Sequence, residues 1–340
     1  MHSPAQKYLQ EQIYKMIDNI SIIKKTLSDD EILNIVHNAE LQKIVIGTKC
    51  TYNNFHLKNL GAIKIQIGAN KSIKIMCSLH KLFNFFEVGK LVNYNHFTME
   101  NARMTLLKLI SDLGLTENGI LISSYEIGLN IPLKNDCITY LNKFSKIGLT
   151  GNEKLFYINP KYKDERCITT VIHRDLRKSF KAYDKGYEMA DKRRKEKLST
   201  FILRIETTFK RCESLTLQKF SDPLNLEKIK NQFFTDWSNV KYHREIIVPK
   251  GTNQNKKQLY NDLLYKGVKE TESTILERFE NGYISERQKK YIMSFIINEW
   301  SEFKHSLRLP ASKEETEIRE FLSKIQLGQV LSDQKTLKNE

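Results

Sequence analysis

The sequence predicts an α+β protein built on a largely antiparallel sheet, with helices on one face of that sheet, and three observations predict it. Apolar and polar residues alternate in short segments between residues 62 and 209. Successive strand segments are joined by connections of hairpin length, which suits antiparallel pairing better than crossover pairing. Helical periodicity collects on either side, up to about residue 42 and from Asp222 onward. The expected organisation is a helical N-terminal segment (1–44), a strand-rich core (45–215) and a helical C-terminal domain (216–340).

In chain order, Ile13, Ile17, Ile20 and Ile23 recur with helical spacing, as do Ile32, Ile35 and Val36, and "SDDEIL" offers Ser28 as a helix cap with acids in the first turn. "AIKIQIG" (62–68) and "SIKIMCSL" (72–79) alternate around "ANK" and form a hairpin with one buried face. "FTMENARMTLLKLISDLGL" (97–115) returns to helical spacing and stops at Gly114. "GILISSYEIGLNI" (119–131) is a strand rich in β-branched residues. Three further strand segments, "KLFYINP", "CITTVIH" and "KSFKAYDK", fill 154–185, with "RDLRK" as the turn between the last two. The charged "YEMADKRRKEK" leads as a helix into the strand "STFILRIETTF" (199–209). Beyond it, "DPLNLEKIKNQFFTDW" opens a helix with Pro223 in its first turn, and Trp237, Trp300, Tyr260 and Tyr265 stand at spacings suited to packing.

Composition narrows the function. Fifty-five Lys and Arg against 40 Asp and Glu leave a net charge of +15, which favours a polyanionic partner, nucleic acid before an anionic membrane surface. No apolar run approaches the length of a membrane span, and the first residues lack a signal-peptide core. The five cysteines are scattered without metal-ligand spacing, as in a cytoplasmic protein with reduced thiols.

The candidate chemistry lies on two strands and the turn between them. In 119–131, Tyr125, Ile127 and Leu129 fall on one face, and Glu126, Gly128 and Asn130 on the other. In 199–209, Leu203, Ile205 and Thr207 share one face while Ile202, Arg204, Glu206 and Thr208 share the other. Each strand thus holds one mid-strand carboxylate, costly to bury without a cationic partner. Either strand alone reads as a surface arrangement, for the second an Arg204–Glu206 pair on an open face. Between them, "YDKGYE" ends a strand, with Gly186 permitting a change of direction and Tyr183 and Tyr187 four residues apart. A tyrosine flanked by carboxylates and lysines suits phosphodiester cleavage: cations lower the phenol's pKa, and a divalent ion neutralises the phosphate.

"FKAYDKGYE…LRIE" resembles the Tyr-(Asp/Glu)-Lys-x-(Tyr)-Glu and Arg-x-Glu pattern of rolling-circle replication initiators, both the plasmid replication-initiation-factor family and the filamentous-phage replication endonucleases. "SYEIGLNI" is similar to their acidic strand, with Glu126 in place of an aspartate and Ser124 in place of an arginine. The resemblance covers about 60–215. It implies a HUH-nickase-like nucleotidyl-transfer core that nicks and rejoins single-stranded or hairpin origin DNA through a 5′-phosphotyrosine. It implies Tyr187 or Tyr183 as nucleophile with Lys185 beside them, and Glu126, Glu206 and Glu188 as ligands of Mg²⁺ or Mn²⁺. The motif leaves the choice of tyrosine open; the helix-start position of Tyr187 favours a phenolate there. His173 is a further candidate ligand, although no His-apolar-His pair is present, which leaves the carboxylate-rich form of such nickases. Lys192, Arg193, Arg194 and Lys195, with Arg177, Lys178 and Arg204, are candidate phosphate contacts. A host helicase and polymerase are the implied partners, and a homodimer fits the same reading. Two alternatives stand beside it. One is a non-catalytic basic protein that binds an origin. The other is a tyrosine recombinase, whose His-x-x-Arg cluster "HRDLR" does not reproduce.

Overall fold

The computed structural model describes residues 17–46, 49–54, 63–91, 97–149, 151–170, 177–188, 201–244, 246–307 and 309–336. Among them the strands are β1 (Ile17–Lys24), β2 (Gln42–Ile46), β3 (Lys49–Asn53), β4 (Ile63–Ile67), β5 (Ile73–Ser78), β6 (Ile120–Leu133), β7 (Phe144–Ile147), β8 (Lys154–Ile158), β9 (Cys167–Thr170), β10 (Lys178–Asp184), β11 (Phe201–Lys210) and β12 (Val240–Tyr242). The helices are α1 (Asp29–Asn38), α2 (Leu79–Val88), α3 (Met99–Asp112), α4 (Cys137–Leu141), α5 (Leu217–Ser221), α6 (Pro223–Ser238), α7 (Gln254–Tyr265), α8 (Val268–Glu280), α9 (Glu286–Asn298), α10 (Trp300–Phe303) and α11 (Lys313–Thr336). The strands form one antiparallel sheet in the order β12-β7-β8-β9-β10-β11-β6-β1-β5-β4-β3-β2. The α+β class and the antiparallel sheet expected from sequence are therefore present.

One element departs sharply from expectation. The chain from Ile17 to Lys24 is not helical; it is a central strand flanked by β5 and β6. A bulge explains the misleading period. Ile17 pairs with Ile127 and Ile20 with Tyr125, so Asp18 and Asn19 together oppose the single Glu126. The inserted residue shifts the alternation, and Ile17, Ile20 and Ile22 all become buried at spacings of three and two. A three-residue step within isoleucines imitates a helix, whereas the β-branched content favours a strand.

Helix α1 begins where the cap was expected. Ser28 Oγ accepts from the Glu31 amide and Glu31 Oε2 accepts from the Ser28 amide, a full capping box. Glu31 Oε1 also accepts from Lys24 Nζ at 2.6 Å, which ties β1 to α1. Gly114 closes α3 at φ 68°, a conformation open to glycine at little cost. Pro223 follows the Asp222 cap of α6, and Trp237 of that helix donates its indole N–H to Thr207 Oγ1 at 3.0 Å. Thr207 lies on the apolar face of β11, so α6 covers that face and leaves the Arg204–Glu206 face on the other side.

The described residues fall into two compact units, Met1–Tyr242 with Glu317–Glu340, and His243–Thr316. The second is a helical unit with its own core of Tyr260, Leu263, Ile275, Ile296, Trp300 and Leu307. Its aromatics pack as their spacing suggests, and Trp237 does so in the core of the first unit. No helix among the described residues is long and apolar enough to cross a membrane.

Candidate functional site

The face alternation read from β6 and β11 holds in the structure. Gly128 pairs with Glu206, Asn130 with Arg204 and Glu126 with Thr208, which places both carboxylates on adjacent strands and on one face. β10 adds Lys181 opposite Glu206 and Tyr183 opposite Arg204. The bulge of β1 brings Asp18 and Asn19 to the same face from the other side. Four neighbouring strands thus converge on a predominantly polar cavity of about 200 Å³.

Arg204 is its centre. The guanidinium is 1 % exposed. Its Nε donates to Glu206 Oε1 at 2.5 Å, Nη1 to Asn130 Oδ1 at 3.2 Å and Nη2 to Asp18 Oδ2 at 3.1 Å. The expectation of Arg204 as a DNA contact is therefore corrected: its donors are committed inside the sheet. Nor is Arg204–Glu206 a surface pair, since both residues are buried. Gly128 makes the arrangement possible. A Cβ there would stand 2.5 Å from Arg204 Nη2, so the guanidinium occupies the space a side chain would fill.

Glu206 also accepts from Tyr183 Oη at 2.8 Å and from Lys181 Nζ at 3.1 Å. Burial works against its charge, but Arg204 and Lys181 hold its carboxyl at about 2. Burial and the Glu206 charge push the Tyr183 phenol well above its ordinary value. Glu126 behaves oppositely to Glu206. Burial, followed by the nearby Glu206 and Asp18 carboxylates, raises it to about 7, although Asn19 Nδ2 donates to it at 3.0 Å. Lys185 is lowered, chiefly by burial and then by the Arg204 charge, and its Nζ donates to Glu188 Oε2 at 2.5 Å.

The raised Glu126 gives a pH test. An acid whose folded pKa exceeds its unfolded value supports folding fully below the unfolded pKa, and that support is lost as pH rises through the folded pKa. In chelator-treated protein, Glu126→Gln should unfold at higher urea than wild type at pH 8, and the advantage should vanish by about pH 4, below the unfolded carboxyl's pKa near 4.3. Urea midpoints across that range check it; a constant offset would mean that Glu126 is not the titrating group.

No protein-family model matches the chain, and no curated protein matches it.

The other expected residues are placed unevenly. Tyr183, Lys185 and Glu188 line the cavity with Glu126 and Glu206. Tyr187 does not: its hydroxyl donates to Asp164 Oδ2 at 3.1 Å, and the Arg166 guanidinium lies 5.1 Å from its ring centroid. Lys178 pairs with Asp236 at 2.9 Å, while Arg177 is exposed. His173, Lys192, Arg193, Arg194 and Lys195 lie outside the described residues. Sequence reasoning missed Asp18, Asn19, Ser78, Lys81, Tyr162 and Lys181, all of which line the cavity. Lys181 was within reach, since it shares the alternation of Tyr183 in "SFKAYD". Asp18 and Asn19 were hidden by the bulge.

Among the described residues, no three His, Cys, Asp or Glu side chains converge closely enough to hold a metal, so Glu126, Glu206 and Glu188 do not form the expected ligand trio. Both Glu206 oxygens already take cationic or phenolic donors, and Glu188 takes Lys185. The donor chemistry fits a more weakly held ion. Among the described residues, the hydrogen bonds to Glu126 come from the Asn19 amide and the Thr208 hydroxyl, whereas both Asp18 oxygens are taken by Ser78 and Arg204. One or two carboxylates with water and substrate phosphate are a usual setting for Mg²⁺.

Proposed function

We propose that this chain is a DNA nicking and joining enzyme that starts rolling-circle replication on a single-stranded or hairpin origin, through a tyrosine and with Mg²⁺ or Mn²⁺. The observation that carries this reading is the meeting of carboxylates, a tyrosine and a lysine from four adjacent strands, with lysines from the segments beside them, in one polar cavity. A phosphodiester is the substrate whose chemistry matches that lining. Lys81, Lys181 and Lys185 supply positive charge for its oxygens, and the net charge of +15 draws nucleic acid to the protein. Glu126 is the carboxylate that would hold the cation, which when bound supplies charge neutralisation of the phosphate. Arg204 and Glu206 keep Lys181 and Tyr183 in register by hydrogen bonding rather than by contact with DNA.

The test is a covalent-adduct assay. Wild-type protein, a single-stranded DNA pool randomised over a hairpin loop and its flanks, and Mg²⁺ or Mn²⁺ should yield a protein–DNA adduct on a denaturing gel. Chelator should abolish it, and Glu126→Gln should reduce it by about 10²-fold or more. Absence of any adduct with wild type would overturn the proposal.

A second reading, a non-catalytic basic origin-binding protein, draws on the full pairing of Glu206, which also describes a structural ion network. It predicts DNA binding without an adduct, equal in wild type and Glu126→Gln.

A further inference from the structure

Resting on the reading of DNA as the ligand, we propose that Tyr157 and Leu155 form a stacking platform for the bases of single-stranded DNA beside the cavity. Both residues stand on β8, and the pairing across the sheet fixes which way they face. Tyr157 pairs with Thr169 of β9, Thr169 with Lys181 of β10, Lys181 with Glu206 of β11 and Glu206 with Gly128 of β6. Directly paired residues of an antiparallel sheet project to the same face. Tyr157 therefore lies in the row that carries Lys181 and Glu206, on the face that holds the cavity. Two strand spacings, roughly 10 Å, separate it from Lys181. Leu155, two residues earlier, shares that face, and the residues in line with it on β7 and β12 are Lys146 and Lys241.

This strip is unusual for the outer face of a sheet. The other face of β8 is already packed: Phe156 lies against Trp237 of α6, with ring centroids 6.2 Å apart. Polar residues are the ordinary choice on the side turned away from such a core. β8 instead presents Leu155 at 46 % and Tyr157 at 48 % exposure, side by side. A single exposed apolar residue needs no explanation. An aromatic and an aliphatic side chain in line with a lysine-bearing cavity suit a ligand that combines flat rings with negative charge. Lys81, Lys181 and Lys185 stand at the cavity end of the strip, and Lys146 and Lys241 at the other. Glu153 pairs with both of the latter, and two lysines against one glutamate leave that end positive.

A DNA strand laid along this row rests a base on the Tyr157 ring while its phosphates run between the two groups of lysines. Every base offers a π-face, so the platform holds the strand without reading its sequence. The patch is two side chains wide and rimmed by charge, well short of the ~800 Å² per partner that a stable protein interface covers.

The experiment measures binding of full-length protein, without divalent ion, to a fluorescent oligothymidylate of about 12 nucleotides and to an abasic strand of equal length. The abasic strand keeps the phosphates and lacks the bases. Tyr157→Ala should weaken the thymidylate complex about ten-fold or more, and Tyr157→Phe, which keeps the ring, should restore it. Neither should change binding of the abasic strand. With 5-iodouracil in place of thymine, irradiation should cross-link the strand to Tyr157, located by mass spectrometry. Equal thymidylate affinity in Tyr157→Ala and wild type overturns the platform, as does failure of wild type to bind the thymidylate. Weakening of both strands alike in Tyr157→Ala also overturns it, because the residue then supports the fold and not a base. Each of these results leaves the nicking reading to the adduct assay. Tyr157-dependent binding in a wild type that forms no adduct upholds the platform within the non-catalytic reading and overturns nicking alone.

Discussion

Replacing Arg204 by methionine is expected to cost about 3–5 kcal/mol of folding stability, the effect of removing one partner from a buried charged network. The guanidinium joins Glu206 of its own strand, Asn130 of β6 and Asp18 of β1. Methionine fills similar volume but leaves the Glu206 and Asp18 carboxylates facing each other without their central cation. Urea unfolding of the variant at pH 7 checks the magnitude, and the deficit should narrow as pH falls toward the depressed pKa of Glu206, about 2. Pairing Arg204→Met with Glu206→Leu should recover part of the loss, because a charge no longer needs a partner once it is gone. A single variant within about 1 kcal/mol of wild type, the size of a surface pair, would show that the network does not hold these strands together.

The second large effect is expected from Gly128→Ala, at about 2 kcal/mol, within the range for overpacking a filled site. The new methyl group would stand 2.8 Å from Arg204 Cζ and 3.1 Å from Glu206 Cγ. An arginine tip is ordinarily free to swing aside, but this one is fixed by three acceptors on three strands. Moving it breaks at least one of those bonds. The decisive measurement is a double-mutant cycle with Arg204→Met: once the guanidinium is absent, the alanine should cost little, giving a coupling energy close to the whole single-variant effect. Additive losses would mean that the glycine serves backbone geometry instead.

How much of this was legible beforehand depends on range. The alternation along β6 and β11 placed Glu126, Gly128, Asn130, Arg204 and Glu206 on one face, because side-chain direction in a strand has a period of two and needs no tertiary knowledge. Burial of that face was not legible. An arginine and a glutamate two apart look alike on an open sheet and in a closed one. The Asp18–Asn19 bulge defeated the same rule, since one inserted residue turns a strand period into an apparent helical one. Tyr162 lies in the loop between β8 and β9, where no periodicity reports direction, and only the fold brings it beside Lys181. Of the "YDKGYE" motif, Tyr183, Lys185 and Glu188 line the cavity, and its two tyrosines donate hydrogen bonds to Glu206 and Asp164.

The position of β1 between β5 and β6 has a consequence for biogenesis. Asp18 and Arg204, hydrogen-bonded in the finished sheet, are 186 residues apart in the chain. Their contact closes one of the longest loops in the molecule, and such contacts form late. During synthesis the early strands can pair among themselves, but the carboxylates gain their central cation only when β11 has left the ribosome. A buried ion network built this way stays unassembled on the nascent polypeptide, and truncated products ending before Phe201 would carry its acidic members without Arg204.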